Sequence, residues 1–197
     1  MGLAMDEDGN LYTLALTKTP KTSKWVGLNR HISKFSGDGK ELVKSCVRRL
    51  PNNLRNLAVR KEHGYWVFSG QDLHRYSPEG KKLWEVGGFR FRHHEYCGCP
   101  RPSFYLDDDL YAWVCDMGRI GVFVLDRNGN QVTRIASYGN RDCRGKGSAY
   151  PLPEIPLNNP RMAVVTDDTL WIQDYNHQRI VRCKLGYEVT GTVNWSP

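Results

Sequence analysis

The residues richest in chemistry lie together between positions 88 and 103, where His93, His94, Glu95, Cys97 and Cys99 fall within seven residues. Imidazole, carboxylate and thiolate donors are thus offered side by side. Cys97 and Cys99 can supply two sulfur ligands, and His93, His94 or Glu95 can complete a zinc or copper site, since both ions accept mixed nitrogen and sulfur donors. The spacing is not that of a zinc finger or ribbon, and no second ligand pair lies at a recognised distance. Three readings of the thiols stay open: disulfides with Cys46 or Cys143, free or packing thiols, and a metal or redox site at His93, His94, Cys97 and Cys99. The six cysteines, at 46, 97, 99, 115, 143 and 183, form no CxxC or CxxCH, so covalent c-type haem attachment is not supported within this chain. Their even number suits disulfides in an oxidising compartment. Cys115 and Cys183 fall in strand-like runs, where a free thiol packs as a small apolar group.

Other candidate chemistry is weaker. Asp107, Asp108 and Asp109 are three consecutive acids of the kind calcium binds through oxygen. The EF-hand pattern is absent, however, and matched positions elsewhere in the chain are also polar, so turn chemistry is the expected role. The glycine-dense stretch from Gly139 to Gly147 contains no phosphate-cradling motif. Neither a nucleophile elbow, an H-E-x-x-H pair nor a kinase motif occurs. His63 and His74 read as surface or packing residues.

The elements that must position these groups repeat. Four units in register at Leu3, Leu57, Phe104 and Met162 each open with a short apolar strand and turn through charged or small residues. Each resumes with an aromatic: Leu11-Tyr12, Tyr65-Trp66, Leu110-Tyr111 and Leu170-Trp171. In three units a third strand ends at a turn with glycine, at Gly39, Gly80 and Gly129, because hairpin loops need a positive φ that glycine adopts without a Cβ clash. A fourth strand follows, weakest in the last unit at Val189–Val193. The units begin near the roughly 40–50 residue period of β-propeller blades, each a four-stranded sheet. The expected fold is an all-β β-propeller with about four four-stranded blades, at approximately 3–45, 57–87, 104–136 and 162–193, in one domain spanning 1–197.

In the last unit the knot Asp174-x-Asn176-x-x-Arg179-Ile180 follows a strand and resembles the signature of NHL-type repeats. The third unit keeps Asp116, Arg119 and Ile120, with Gly118 where asparagine would stand. A longer run looks like a group of secreted bacterial NHL-like propeller proteins of a kind common in planctomycetes: Cys97–Phe104, Val122–Gly129, Tyr138–Asn140, Gly147-Ser148, Pro153–Pro156 and Gln178–Tyr187. This likeness is close over about 97–190 and loose before it. It implies that Asp116, Arg119, Asp174, Asn176 and Arg179 are scaffold, bonding across the turn and to neighbouring blades. It also implies an extracytoplasmic setting, secreted or periplasmic. NHL-like propellers include metal-dependent hydrolases and lyases and subunits of oxidoreductases, which is a fold-level analogy only.

The chain has 197 residues and a net charge of +7, from 28 Lys and Arg against 21 Asp and Glu. Basic residues are spread along it and no nucleic-acid motif is present, so a solvated surface is expected and nucleic acid is not the expected partner. No apolar run approaches the ~20 residues of a membrane span. The first unit starts almost at Met1, with no signal peptide in this chain and fewer blades than the six or seven of an NHL-like ring. The expectation is the C-terminal part of a longer propeller, or a half-ring that pairs with another chain, since an unclosed arc exposes two sheet faces. Two insertions are expected at the rim: the polar Thr17–Arg30, as a solvated loop or a partner contact, and the Gly- and Pro-dense Tyr138–Arg161, sealing one face or presenting a ligand surface. Two functions follow: a non-catalytic binding or assembly module, or a metal- or redox-dependent enzyme subunit with its site near the axis or at His93–Cys99.

Overall fold

In the computed structural model, residues 2–18, 28–90, 103–139 and 152–186 are described. They form seventeen strands and, among the described residues, no helix. Sheet one is β1 (Leu3–Met5), β2 (Leu11–Lys18), β3 (Leu28–Phe35) and β4 (Glu41–Arg48). Sheet two is β5 (Leu54–Arg60), β6 (Gly64–Ser69), β7 (Asp72–Tyr76) and β8 (Lys82–Val86). Sheet three is β9 (Phe104–Leu106), β10 (Ala112–Asp116), β11 (Gly121–Leu125) and β12 (Gln131–Ile135). A parallel pair, β13 (Ser137–Tyr138) and β14 (Pro156–Leu157), lies on the way to sheet four, which is β15 (Pro160–Thr166), β16 (Thr169–Asp174) and β17 (Arg179–Lys184). All four sheets are antiparallel meanders with strands in chain order. The expected fourth strand at Val189–Val193 lies outside the described residues.

The sheets stand side by side, and the interior ones are buried on both faces. In β6, Tyr65 and Val67 pack into a core with Tyr12, Leu14, Ile32 and Val47 of sheet one. Trp66 and Phe68, one residue out of phase, pack into a second core with Phe104, Leu106, Ala112 and Val114 of sheet three. Sheet three repeats the division: Phe123 and Leu125 face sheet two, while Trp113, Cys115, Val122 and Val124 face Ala163, Val165, Leu170 and Ile172 of sheet four. Successive side chains of a strand point to opposite faces, so a strand between two cores must be apolar throughout. Every residue of β6, β10 and β11 is accordingly buried. At about 1.5–3 kcal/mol for each fully buried large apolar side chain, these shared layers hold the sheets to one another.

The first strands run beside one another, β1 on β5, β5 on β9 and β9 on β15, which makes them the inner strands of a propeller. Polar bonds stitch this inner circle: Asn56 Nδ2 donates to Phe104 O at 3.0 Å, Arg60 Nη2 to Leu106 O at 3.0 Å, and Ser103 N to Arg161 O at 3.3 Å.

Strand register fixes a point the sequence pattern misassigns. Tyr12, Trp66 and Trp171 pair across to Ala4, Ala58 and Val164, and the equivalent in sheet three is Trp113 opposite Tyr105, not Tyr111. The turn of sheet three is Asp107–Tyr111, five residues like Asp6–Asn10 of sheet one, which moves the aromatic two positions on. Asp107 accepts from Tyr111 N at 2.8 Å and from Trp113 Nε1 at 2.7 Å. Asp6 likewise accepts from Asn10 N at 2.9 Å and from Tyr12 Oη at 2.9 Å. In sheet four, Trp171 Nε1 donates to Thr166 Oγ1 at 3.0 Å. The opening residue of the turn thus anchors the polar edge of the next aromatic in three of the four sheets.

Candidate functional site

The turns between second and third strands share one end of the sheets with the segments that connect one sheet to the next. Three equivalent backbone bonds join them there: Gly70 N to Asn53 O at 3.0 Å, Gly118 N to Arg90 O at 3.0 Å, and Tyr175 N to Asn159 O at 3.0 Å. The residues flanking the chain's longest connections, Lys18 and Leu28, Arg90 and Ser103, Gly139 and Leu152, belong to this same end of the meanders. We refer to it as the knot end.

Its best-defined group surrounds Asp174, whose side chain is fully buried. Oδ1 accepts from the backbone N–H groups of Asn158 at 3.1 Å and Asn159 at 3.0 Å. Oδ2 lies 2.7 Å from His177 Nδ1 and accepts from Arg179 Nε at 3.3 Å. Asn176 exchanges bonds with Asn158 and Asn159, and Arg179 also donates to Pro156 O. The knot therefore clamps the incoming connection, with four donors on one carboxylate making up for its burial. The other His177 ring nitrogen, Asn159 Oδ1, and Arg161 Nε and Nη1 are buried without a hydrogen-bond partner. Arg161 instead lies over the Tyr175 ring, 3.2 Å from its centre. An open cavity of about 690 Å³ adjoins the knot, bordered by Asn158, Gln173, Tyr175, Gln178 and Ile180.

Sheet three has a smaller version. Asp116, also buried, accepts from Gly118 N at 2.9 Å, Arg119 N at 2.8 Å and Arg119 Nε at 2.6 Å. Arg119 then covers Phe123 at 4.0 Å. Asp116 is committed to its own turn and Asp174 to its turn and the incoming connection, so both act as structural acceptors, not as free acids.

His93, His94, Cys97 and Cys99 lie outside the described residues, as does Cys143. Of the remaining cysteines, Cys46, Cys115 and Cys183 are free thiols. Burial raises the pKa of all three, most strongly for the fully enclosed Cys115, which keeps them protonated and unreactive at neutral pH. Among the described residues no three His, Cys, Asp or Glu side chains gather to hold a metal. The acids at 107–109 serve the fold: Asp107 anchors its turn, and Asp108 pairs with Arg60 at 3.2 Å, which also reaches Glu7 at 3.7 Å.

His74, which the sequence reads as a surface or packing residue, lies on the face of sheet two that meets sheet one. His74 is buried, with neither ring nitrogen hydrogen-bonded and Nδ1 3.4 Å from Glu85 Oε2. Burial lowers its pKa and the Glu85 charge only partly opposes this, so it is neutral. It borders an open groove of about 380 Å³ with Arg48, Arg49, Asp72 and Glu85. Its place on an alternating strand, Asp72–Tyr76, gives no sequence signal beyond that of an ordinary strand residue.

No protein-family profile matches the chain, and no curated protein matches it. Solved structures do. A protein of unknown function from Bacteroides caccae is 16% identical with a TM-score of 0.52, over 91% of this chain and 62% of that one. Citrobacter koseri AztD is 13% identical with a TM-score of 0.55, over 94% of this chain and 44% of that one. A streptogramin B lyase structure is 15% identical with a TM-score of 0.49, over 95% and 55%. These are propeller-type folds, and at such identities the likeness is one of fold alone. The chain spans less than two thirds of each. With its four antiparallel sheets it is an all-β protein of the β-propeller type.

Proposed function

We propose that the chain is an NHL-like β-propeller module, one domain over 1–197 with blades at approximately 3–45, 57–87, 104–136 and 162–193. In this reading it is non-catalytic and binds a protein partner through the loops of its knot end, as part of a larger extracytoplasmic protein. The observation that carries the reading is the state of the signature residues. Asp174, Arg179, Asp116 and Arg119 bond to one another and to the backbone, and Asn176 bonds to the side chains of Asn158 and Asn159, which leaves them a scaffolding role and leaves recognition to the connections they hold in place. Nothing about the location follows from the fold itself: among the described residues no helix is long and apolar enough to cross a membrane, and the extracytoplasmic setting rests on the sequence resemblance.

A photo-crosslinking amino acid placed at Gln178 on the knot end, and at Asn128 in a turn at the opposite end, tests the reading in cells of the source organism. Adducts from position 178 and none from 128 are expected. Adducts from 128 alone, or from neither, overturn it.

A second reading keeps a zinc or copper site at His93, His94, Cys97 and Cys99, and with it a metal- or redox-dependent enzyme. It is favoured by the anchoring of the flanking residues at the knot end, where Arg90 O accepts from Met117 N and Gly118 N and Ser103 O accepts from Cys115 N. Stoichiometric metal in purified protein that disappears in the C97S/C99S variant supports it; metal-free protein with oxidised thiols removes it.

A further inference from the structure

The inner strand β5 carries an arginine near each end, and the two differ in what they meet. Arg60, at the end away from the knots, lies 3.7 Å from Glu7 and 3.2 Å from Asp108. Arg55, at the knot end, makes no ion pair among the described residues, and its Nε is buried without a hydrogen-bond partner. Strand register shows that this second arginine recurs. Leu54 and Asn56 pair with the adjacent Ser69 and Phe68, so Arg55 is the extra residue of a bulge. Pro160 and Met162 pair with the adjacent Asp174 and Gln173, which makes Arg161 the extra residue of the matching bulge in sheet four. Each stands two residues beyond the carbonyl, of Asn53 or Asn159, that accepts from the knot turn of its own sheet.

Arg161 is 8% exposed, with Nε and Nη1 buried and unpartnered. Its guanidinium lies over the Tyr175 ring, which offsets part of the desolvation of a cation but gives its N–H groups no acceptor. A guanidinium keeps its charge, so an enclosed one calls for an acid. Arg55 belongs to a sheet with a neighbour on each side, so its open hydrogen-bonding capacity does not come from an end of the row. Acids gather instead at the opposite end, where each described turn contains at least one, Asp6, Glu62, Asp107 and Asp168 among them. At the knot end the buried acids Asp116 and Asp174 are already held by Arg119 and Arg179.

We propose that the knot-end mouth of the inner circle binds an acidic segment of a partner protein, whose carboxylates pair with Arg55 and Arg161. This rests on the knot-end reading above and adds the chemistry that is recognised there. The planar fork of a guanidinium matches a carboxylate oxygen for oxygen. Two observations favour a peptide over a nucleic acid. Arg161 is recessed, within reach of a glutamate side chain but not of a phosphodiester backbone lying across the surface. Two residues before it, Asn159 Oδ1 is a buried acceptor without a partner, suited to a peptide N–H, and a phosphodiester backbone has no such donor.

Fluorescence anisotropy of a labelled oligoglutamate titrated with the full chain tests this. Binding that weakens as salt is raised is expected. Arg161→Met and Arg55→Gln should each raise the dissociation constant by about tenfold or more, while Lys81→Gln, in a turn of the opposite end, leaves it unchanged. Arg161→Met removes an unpaired buried charge, so its thermal midpoint should equal or exceed that of the wild type. A lowered midpoint would assign Arg161 to the fold and overturn its role in binding. Arg55→Gln, at a half-buried residue, repeats the binding test where the fold is not at stake. Absence of oligoglutamate binding overturns the proposal. So does binding that either arginine variant leaves unchanged, and so does tighter binding of an oligothymidylate of equal charge. Crosslinks at position 178 without oligoglutamate binding would sink this inference and leave the loop-binding reading standing.

Discussion

Asp6 and His74 are two buried side chains whose pKa shifts give the fold a pH dependence of definite sign. Burial by itself would raise the pKa of Asp6, but bonds from Asn10 and Tyr12, with Lys34 nearby, outweigh it and hold the carboxyl at about 2 against an ordinary 3.8. A depressed carboxyl stabilises the fold above the unfolded pKa, and this stabilisation is lost as pH falls from about 4 to about 2. Asp6→Asn should therefore flatten the decline of the urea midpoint across that window; an unaltered decline would show that the bonds to Asp6 do not form. His74 has the opposite chemistry with the same direction of pH effect. Its pKa is lowered by burial, so below the ordinary 6.5 the unfolded chain takes up a proton that the native chain refuses. His74→Leu removes that penalty along with two unsatisfied buried nitrogens, and its thermal midpoint should exceed the wild type by a margin that widens as pH drops below 6.5. A margin that shrinks with acidity contradicts a neutral buried imidazole.

The hairpins depend on a few tight approaches. Gly64 has φ +94°, and a Cβ there would stand 2.1 Å from Tyr76 O. Gly64→Ala should cost at least ~2 kcal/mol, from positive φ and from displacement of the neighbouring backbone, read as a lower urea midpoint at unchanged slope. The register of sheet three makes a sharper comparison. Trp113 is buried and anchored by Asp107, whereas Tyr111 is a half-open turn residue. Trp113→Ala should cost about 3–5 kcal/mol and Tyr111→Ala less than about 1 kcal/mol; equal costs would restore the original alignment of the third repeat. The four-unit grammar, the glycine turns and the Asp-led knots were legible in the chain because local backbone and turn chemistry dictate them. The aromatic of the third unit was misplaced because two adjacent residues, Leu110-Tyr111, imitate the motif. Only the five-residue turn, visible once Leu106 pairs with Ala112, separates imitation from repeat. The packing role of His74 was among the sequence readings, but its groove was not legible, because Arg48 and Arg49 reach it from outside its own sheet.

In the molecule as a whole, each interior sheet contributes to two hydrophobic layers and each end sheet to one. Sheets two and three consequently carry apolar runs at Tyr65–Phe68, Ala112–Cys115 and Val122–Leu125, buried on both faces, while Leu3, Met5, Trp171 and Ile180 of sheets one and four are exposed. Hydrogen exchange read strand by strand at low protein concentration probes this arrangement most directly. Amides of β6, β10 and β11 should be the slowest and those of the outermost strands β4, β8, β12 and β17 the fastest. Uniform protection across the four sheets, or slowest exchange in the outermost strands, would contradict a row of sheets held by shared layers.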